Sequence, residues 1–196
     1  MEYIIVGLGN TGEQYEDSRH NMGRIIVESL REKFNLPEWE EEKKKGALVS
    51  SGKMGKHTVT LVLPELLMNR SGSVIKNFAT NKKKAERLVV VYDDIDLPFG
   101  VERVSFSRGP GGHRGVASVI KSLGTKDFIR LRIGVSPTTP KGTVKKPKGE
   151  EKVLDFLMGS FNKKERDMLP ILARRASDIV GTIISHGHTQ AMNRFN

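Results

Sequence analysis

RLVVVYDDIDLPFG, residues 87–100, is the stretch on which the fold turns. Its apolar run from Leu88 to Val91 is unbroken and rich in β-branched residues, with no polar alternation. Such a run is a strand covered on both faces, and strands of that kind lie between helical layers. It then stops abruptly at Asp93, Asp94 and Asp96. In open α/β sheets ligands bind beyond the carboxyl ends of the strands. The carboxylates therefore sit where such a site would be.

Working outward, YIIVGLG at 3–9 reads as a second buried strand. NMGRIIVESLREKF at 21–34 follows as a helix, with Ile25, Ile26, Ser29, Leu30 and Phe34 near helical spacing. His20 falls at the loop–helix junction between them. Residues 38–45, EWEEEKKK, read as an exposed charged connector. Residues 46–63 form a hairpin around a Gly-Lys turn. ELLMNRSGSVIKNFA at 65–79 is predicted helical, with Leu66, Leu67, Val74 and Phe78 toward the core. VERVSFS at 101–107 and IRLRIGVSP at 129–137 are strands, and GGHRGVASVIKSLG at 111–124 opens on glycines and becomes a helix. Residues 137–150 are rich in Pro, Gly and Lys, keep no core period and read as a mobile basic loop. Residues 151–187 return to helix, with Pro170 near the N-terminal turn of the last one. Alternating strands and helices predict an α/β fold. It is a single-domain three-layer sandwich, with a mixed twisted sheet and helices on both faces.

Composition narrows the chemistry. A chain of 196 residues suits one domain. It has no cysteine, which removes disulfides, thiolate zinc sites and a cysteine nucleophile. The opening MEYIIVGLGN lacks the basic flank and apolar length of a secretory signal. No window approaches the roughly 18 apolar residues of a membrane span. A cytoplasmic protein is expected, away from membranes. With 33 basic and 23 acidic residues the net charge is +10, which points to a polyanionic partner, nucleic acid first.

Four places could converge on one cleft: Asn10 with His20, Asn69, the Asp93–Asp96 cluster, and the glycine loop 109–115 with His113 and Arg114. A His with a carboxylate on its other ring nitrogen is a general-base pair, and with no cysteine the base would activate water. Asn side chains suit holding that water and donating to an oxyanion. Local readings compete with each assignment. His20 also reads as a helix-start residue, the aspartates as turn formers before Pro98, Asn69 as a cap, and Asn10 as a turn residue. DDID also fits Mg²⁺, which takes oxygen ligands. GPGGHRG resembles a phosphate-cradling loop but lacks the Lys-Ser/Thr pattern of a nucleotide site.

Taken together, VGLGNTGEQYEDSRHNMG at 6–23, MNRSG at 68–72, DDIDLPFG at 93–100, GPGGHRG at 109–115, RLRIG at 130–134 and AMNRFN at 191–196 resemble bacterial-type peptidyl-tRNA hydrolase. The resemblance implies hydrolysis of the ester joining a peptide to the 3′ end of tRNA, without metal or other cofactor, by a monomer. It implies His20 as the base and Asp93 as its carboxylate partner. Asn10, Tyr15, Met68, Asn69 and Arg114 would fall on the substrate. Arg103 and Arg132 would meet the tRNA 5′-phosphate, and residues 137–158 would form a lid over the cleft. Lysines of the loop 141–148 would add contacts to the acceptor stem.

Three departures stand out against the family pattern. LPELLMN replaces a Lys-Pro-x-Thr-Tyr/Phe lead into Met-Asn. Ser105 occupies a second basic position of the phosphate clamp, with Arg108 nearby as a substitute. Arg114 stands where the family has Asn; it donates hydrogen bonds but cannot accept one. The last keeps a second class open, a catalytically weak RNA-binding protein of the same fold.

Overall fold

The computed structural model describes all 196 residues. Seven strands form one mixed sheet: β1 Glu2–Gly7, β2 Glu40–Glu42, β3 Ala47–Met54, β4 His57–Pro64, β5 Leu88–Pro98, β6 Glu102–Phe106 and β7 Ile129–Ser136. Seven helices accompany them: α1 Met22–Lys33, α2 Ser71–Ile75, α3 Lys82–Ala85, α4 Arg114–Leu123, α5 Glu150–Met158, α6 Lys163–His186 and α7 His188–Phe195. The strand order is β2-β3-β4-β1-β5-β7-β6. The central four strands are parallel, and the hairpin β3–β4, the edge strand β2 and the edge strand β6 pair antiparallel.

The expected three layers are present. Alternate residues of one strand face opposite cores, as a period of two requires. Tyr3 and Ile5 of β1 join Ile26, Val27 and Leu30 of α1 and Ala176, Ile179 and Ile183 of α6. Ile4 and Val6 join Val74 and Ile75 of α2 and Val116 and Val119 of α4. A sheet dry on both sides accounts for the unbroken apolar run in β5.

Several boundaries differ from the sequence expectation. The charged run 38–45 contributes β2, paired with β3 from Glu40 opposite Val49 to Glu42 opposite Ala47. Its charges blunt the sheet edge against further pairing. Residues 65–79 are not one helix; a 3-10 turn, Met68–Arg70, leads into the short α2. Leu67 is exposed, not in the core, because that turn carries it outward. In α1 the buried face includes Val27 where the spacing suggested Ser29. The helical stretch 151–187 divides into α5 and α6, broken at 159–162, and Pro170 lies well inside α6, not in a first turn. It is exposed there, so water can satisfy the carbonyl it leaves unbonded.

Two glycines set the approach of helix and strand at the site. A Cβ on Gly23 would meet the Val91 carbonyl oxygen at 2.2 Å, so only glycine lets α1 start against β5. A Cβ on Gly134 would meet the Pro98 carbonyl oxygen at 1.9 Å, where β5 bends across β7.

Candidate active site

Parallel neighbours end on the same side of a sheet. β1 and β5 pair in parallel, Gly7 opposite Val91, so the loop after β1 and the aspartates of β5 emerge together. His20 lies in a 3-10 turn, Arg19–Asn21, that precedes α1. Its Nδ1 donates to Asp93, 2.9 Å from Oδ1 and 3.1 Å from Oδ2. That fixes the tautomer and leaves Nε2 as the basic nitrogen. Both residues are buried, and His20 lines a cavity of about 340 Å³ with Tyr92, Asp93, Asp94, Ile95, the glycine loop from Pro110 to Arg114, and Glu150, Val153, Leu154 and Leu157 of α5.

Electrostatics favour the pair. Burial pulls the His20 pKa down, but the Asp93 charge and hydrogen bond raise it, against a smaller lowering by Arg114. The net position lies above the ordinary imidazole value. Burial works to raise the Asp93 pKa, yet His20 and His113 hold it well below the usual carboxylate range. A permanently ionised carboxylate steadies an imidazolium as it forms.

His113 is the residue the sequence reading left without a role. It caps α4: its Nδ1 accepts the Val116 N–H at 3.2 Å. Nε2 therefore carries the proton and donates to Asp93 Oδ1 at 3.2 Å. Its ring packs edge-on against Tyr92, with centroids 4.8 Å apart. His20, Asp93 and His113 lie close enough to suggest a metal triad. The hydrogen bonds argue otherwise, since a metal on His113 Nε2 would displace the proton that its Nδ1 partner places there. The Mg²⁺ reading of DDID meets a similar objection. Asp93 is held by two imidazoles, Asp94 accepts from Arg132 Nε at 2.7 Å, and Asp96 pairs with Lys146.

Asn10 is built in from three sides. Asn21 Oδ1 accepts the Asn10 N–H at 2.7 Å and Asn21 Nδ2 donates to the Asn10 carbonyl at 2.9 Å. Asn10 Oδ1 accepts the Met68 N–H at 2.8 Å. This spends the amide oxygen and leaves its NH₂ without a protein partner. Asn21 is thus a second residue missed from sequence, a clamp that reads as an ordinary helix-start Asn. Met68 is buried against the glycine loop at Gly115, and Asn69 beside it is exposed. Tyr15 lies half-buried in the loop before His20, where its carbonyl accepts from Ser18; it does not line the cavity.

The basic residues divide by role. Arg103 and Arg132 are cross-strand partners on β6 and β7. Arg132 is anchored to Asp94 through Nε, while Arg103 makes a long 3.5 Å bond to the Phe195 carbonyl. Ser105 is buried, unlike a clamp residue. Arg108 is exposed at the start of the glycine loop. Its carbonyl and that of Gly109 accept from Arg130, a fully buried residue that stacks on Phe128 at 4.7 Å. Arg130, within the stretch RLRIG, thus holds the glycine loop in place. Arg114 lines the mouth of the cavity, where it is exposed and pairs with Glu150 of α5.

No helix is long and apolar enough to cross a membrane. A family profile described as peptidyl-tRNA hydrolase matches residues 4–196. A peptidyl-tRNA hydrolase of Chloroflexus aggregans is 36% identical over 99% of this chain and 98% of its own length. One from Clostridium botulinum is 33% identical over 99% and 96%. The crystal structure of peptidyl-tRNA hydrolase from Acinetobacter baumannii superposes with a TM-score of 0.87 at 30% identity, covering 99% of this chain and 94% of that one. With the His20–Asp93 pair at the mouth of the sheet and these matches running end to end, the chain belongs to the peptidyl-tRNA hydrolase family.

Proposed function

We propose that the protein hydrolyses the ester between the peptide and the terminal ribose of peptidyl-tRNA, with His20 as general base. The observation that carries this is the His20–Asp93 hydrogen bond, 2.9 Å, opening onto the cavity. Nε2 of His20 takes a proton from water as the water oxygen bonds to the ester carbonyl carbon. The tetrahedral intermediate then collapses, the C–O bond to the ribose breaks, and the imidazolium returns its proton to the leaving 3′ oxygen. Asp93 stabilises the imidazolium, and His113 holds Asp93 in position. No step needs a metal.

The free NH₂ of Asn10 suits a carbonyl of the peptide or the developing oxyanion. Met68 lines the substrate path, and Asn69 and Tyr15 reach the terminal nucleotide or peptide. Arg132, Arg103 and Arg108 take acceptor-stem phosphates, since guanidinium groups bind phosphate bidentately. Arg114 acts at the mouth of the cleft. Residues 137–158 act as a lid on a single domain. The protein works as a monomer in the cytoplasm, where its substrate is made.

The test is hydrolysis of N-acetyl-aminoacyl-tRNA by purified protein in a chelator, with His20→Ala alongside. Release of tRNA by the wild type alone supports the reading. Binding of tRNA with no release by either protein sinks it and leaves an RNA-binding role.

A further inference from the structure

The helix α5 is fastened at its two ends by different means. Its C-terminal end is built into the loop that carries His20. Arg19, next to the base, donates through Nη1 to the carbonyls of Phe156 and Gly159 at 3.4 and 3.2 Å, and through Nη2 to Glu165 at 2.9 Å. Its guanidinium also lies 4.7 Å from the centre of the Phe156 ring. The backbone adds Arg19 N–H to Gly159 and Phe161 N–H to Asp17. The Arg19–Glu165 pair is only 13% and 12% exposed.

At the N-terminal end nothing is buried. Glu150 follows Gly149, which sits at φ +93°, a conformation that glycine turns into easily. Glu150 is held by Arg114 across the cleft mouth, and these side chains are 81% and 58% exposed. The loop before it is tied by Lys146 to Asp96, again about half exposed. Between the two ends, Val153, Leu154 and Leu157 turn an apolar face to the cavity, and Leu154 stays exposed. Exposed ion pairs are weak and screened by salt, so this end opens at little cost while the other stays pinned beside His20.

We propose that Arg114 and Glu150 form an ionic latch that holds α5 over the His20–Asp93 centre, and that a phosphate near the 3′ end of tRNA opens it by taking Arg114 from Glu150. The second half rests on the substrate reading above. The family's Asn at this position cannot pair with a carboxylate as an ion, so the latch belongs to the Arg114 variation. Arg114 becomes a positioning residue that couples substrate arrival to access.

The chain has no cysteine, so Ala117→Cys with Glu151→Cys gives spin labels at two exposed positions on facing helices. In the tRNA-free protein at low salt the label distance should be short and narrow. Glu150→Gln should broaden it to longer values, and Arg114→Glu with Glu150→Arg should restore it. An unlabelled-RNA probe, a minihelix ending in CCA, should broaden the wild type, while the same minihelix with uncharged methylphosphonate linkages in its CCA end should leave it closed. In turnover, Glu150→Gln should lower KM a few fold, because the closed fraction no longer taxes binding. The swap should lower kcat/KM by roughly tenfold, because its guanidinium then sits on α5 and no longer on the glycine-loop side of the cleft. Identical distances in wild type and Glu150→Gln would overturn the latch. A minihelix with uncharged linkages that opens the wild type as fully as the charged one would overturn the phosphate trigger. Failure of the wild type to hydrolyse peptidyl-tRNA would overturn the functional reading, whatever the distances show.

Discussion

The imidazole of His113 donates from Nε2 to the same Asp93 oxygen, Oδ1, that His20 engages, at 3.2 Å. One carboxylate thus serves two rings. His113→Ala removes a donor to Asp93, leaving more of the carboxylate's negative charge for His20 to feel. We expect kcat to fall roughly tenfold, about the effect of one lost hydrogen bond to a charged group. The acid limb of the pH–rate profile should move upward. His113→Gln, which can still donate, should recover part of both. A profile unmoved by His113→Ala would reduce this residue to a helix cap.

His20 must be neutral to act, and its folded pKa lies above 6.5 through Asp93, despite burial. Activity should therefore climb with pH through an inflection above 6.5. Stability runs the other way. The imidazolium–carboxylate attraction is fully present below the unfolded value and is lost as pH rises through the raised one. His20→Ala should cut turnover by roughly 10²–10⁴-fold, the range of a general base. It should leave tRNA affinity close to wild type and lower the melting temperature, since Asp93 loses a buried partner, without abolishing folding; collapse of folding would make His20 structural.

Glu102 on β6 is fully buried, and neither carboxylate oxygen accepts a hydrogen bond; Arg175 Nε lies 3.4 Å from Oε2. Burial pushes its pKa up to about 8, with Arg175 drawing it down and Asp178 adding to the rise. Between the ordinary 4.5 and about 8 the folded protein holds a proton that the unfolded chain has released. Stability should fall with rising pH across that window, by a few kcal/mol in order of magnitude. Melting curves of Glu102→Gln should lose that slope, and a slope equal to wild type would clear Glu102 of it.

Arg132 is anchored by Asp94 through Nε alone, which leaves its two terminal nitrogens for a phosphate. Arg132→Ala should raise KM roughly tenfold with kcat little changed, and reduce the salt slope of binding by about one. If KM stays where it was, Arg132 is only a partner for Asp94.

Much of this was legible before the structure because the signals were of the strong kind. Val89–Val91 has no polar face, and only a strand between two layers explains it. His20, Asp93 and Asn10 were legible through the ends of strands and the family motifs together. The residues that escaped share a different physics. His113 looked like part of a flexible glycine loop, and its function depends on which nitrogen a backbone N–H occupies. Asn21 and Arg130 act on backbone carbonyls and amides far away in sequence, and no spacing encodes that. Glu40–Glu42 read as a connector because an edge strand needs no apolar face. The start of α6 was available in Asn162-Lys-Lys-Glu165, a capping box whose two hydrogen bonds are both made, but a single long helical period hid the break before it.

The parallel pairing of β1 with β5 has a consequence for how the molecule fails. His20 and Asp93 lie 73 positions apart in the chain and meet only while those two strands stay in register. Turnover is thus a gauge of the sheet's midline. Edge strand β2, three residues long and exposed, can fray without touching it. Slippage or parting at the midline disconnects the base from its carboxylate at once. In a denaturant series the catalytic signal should vanish with the central pairing and outlast any melting at the rim.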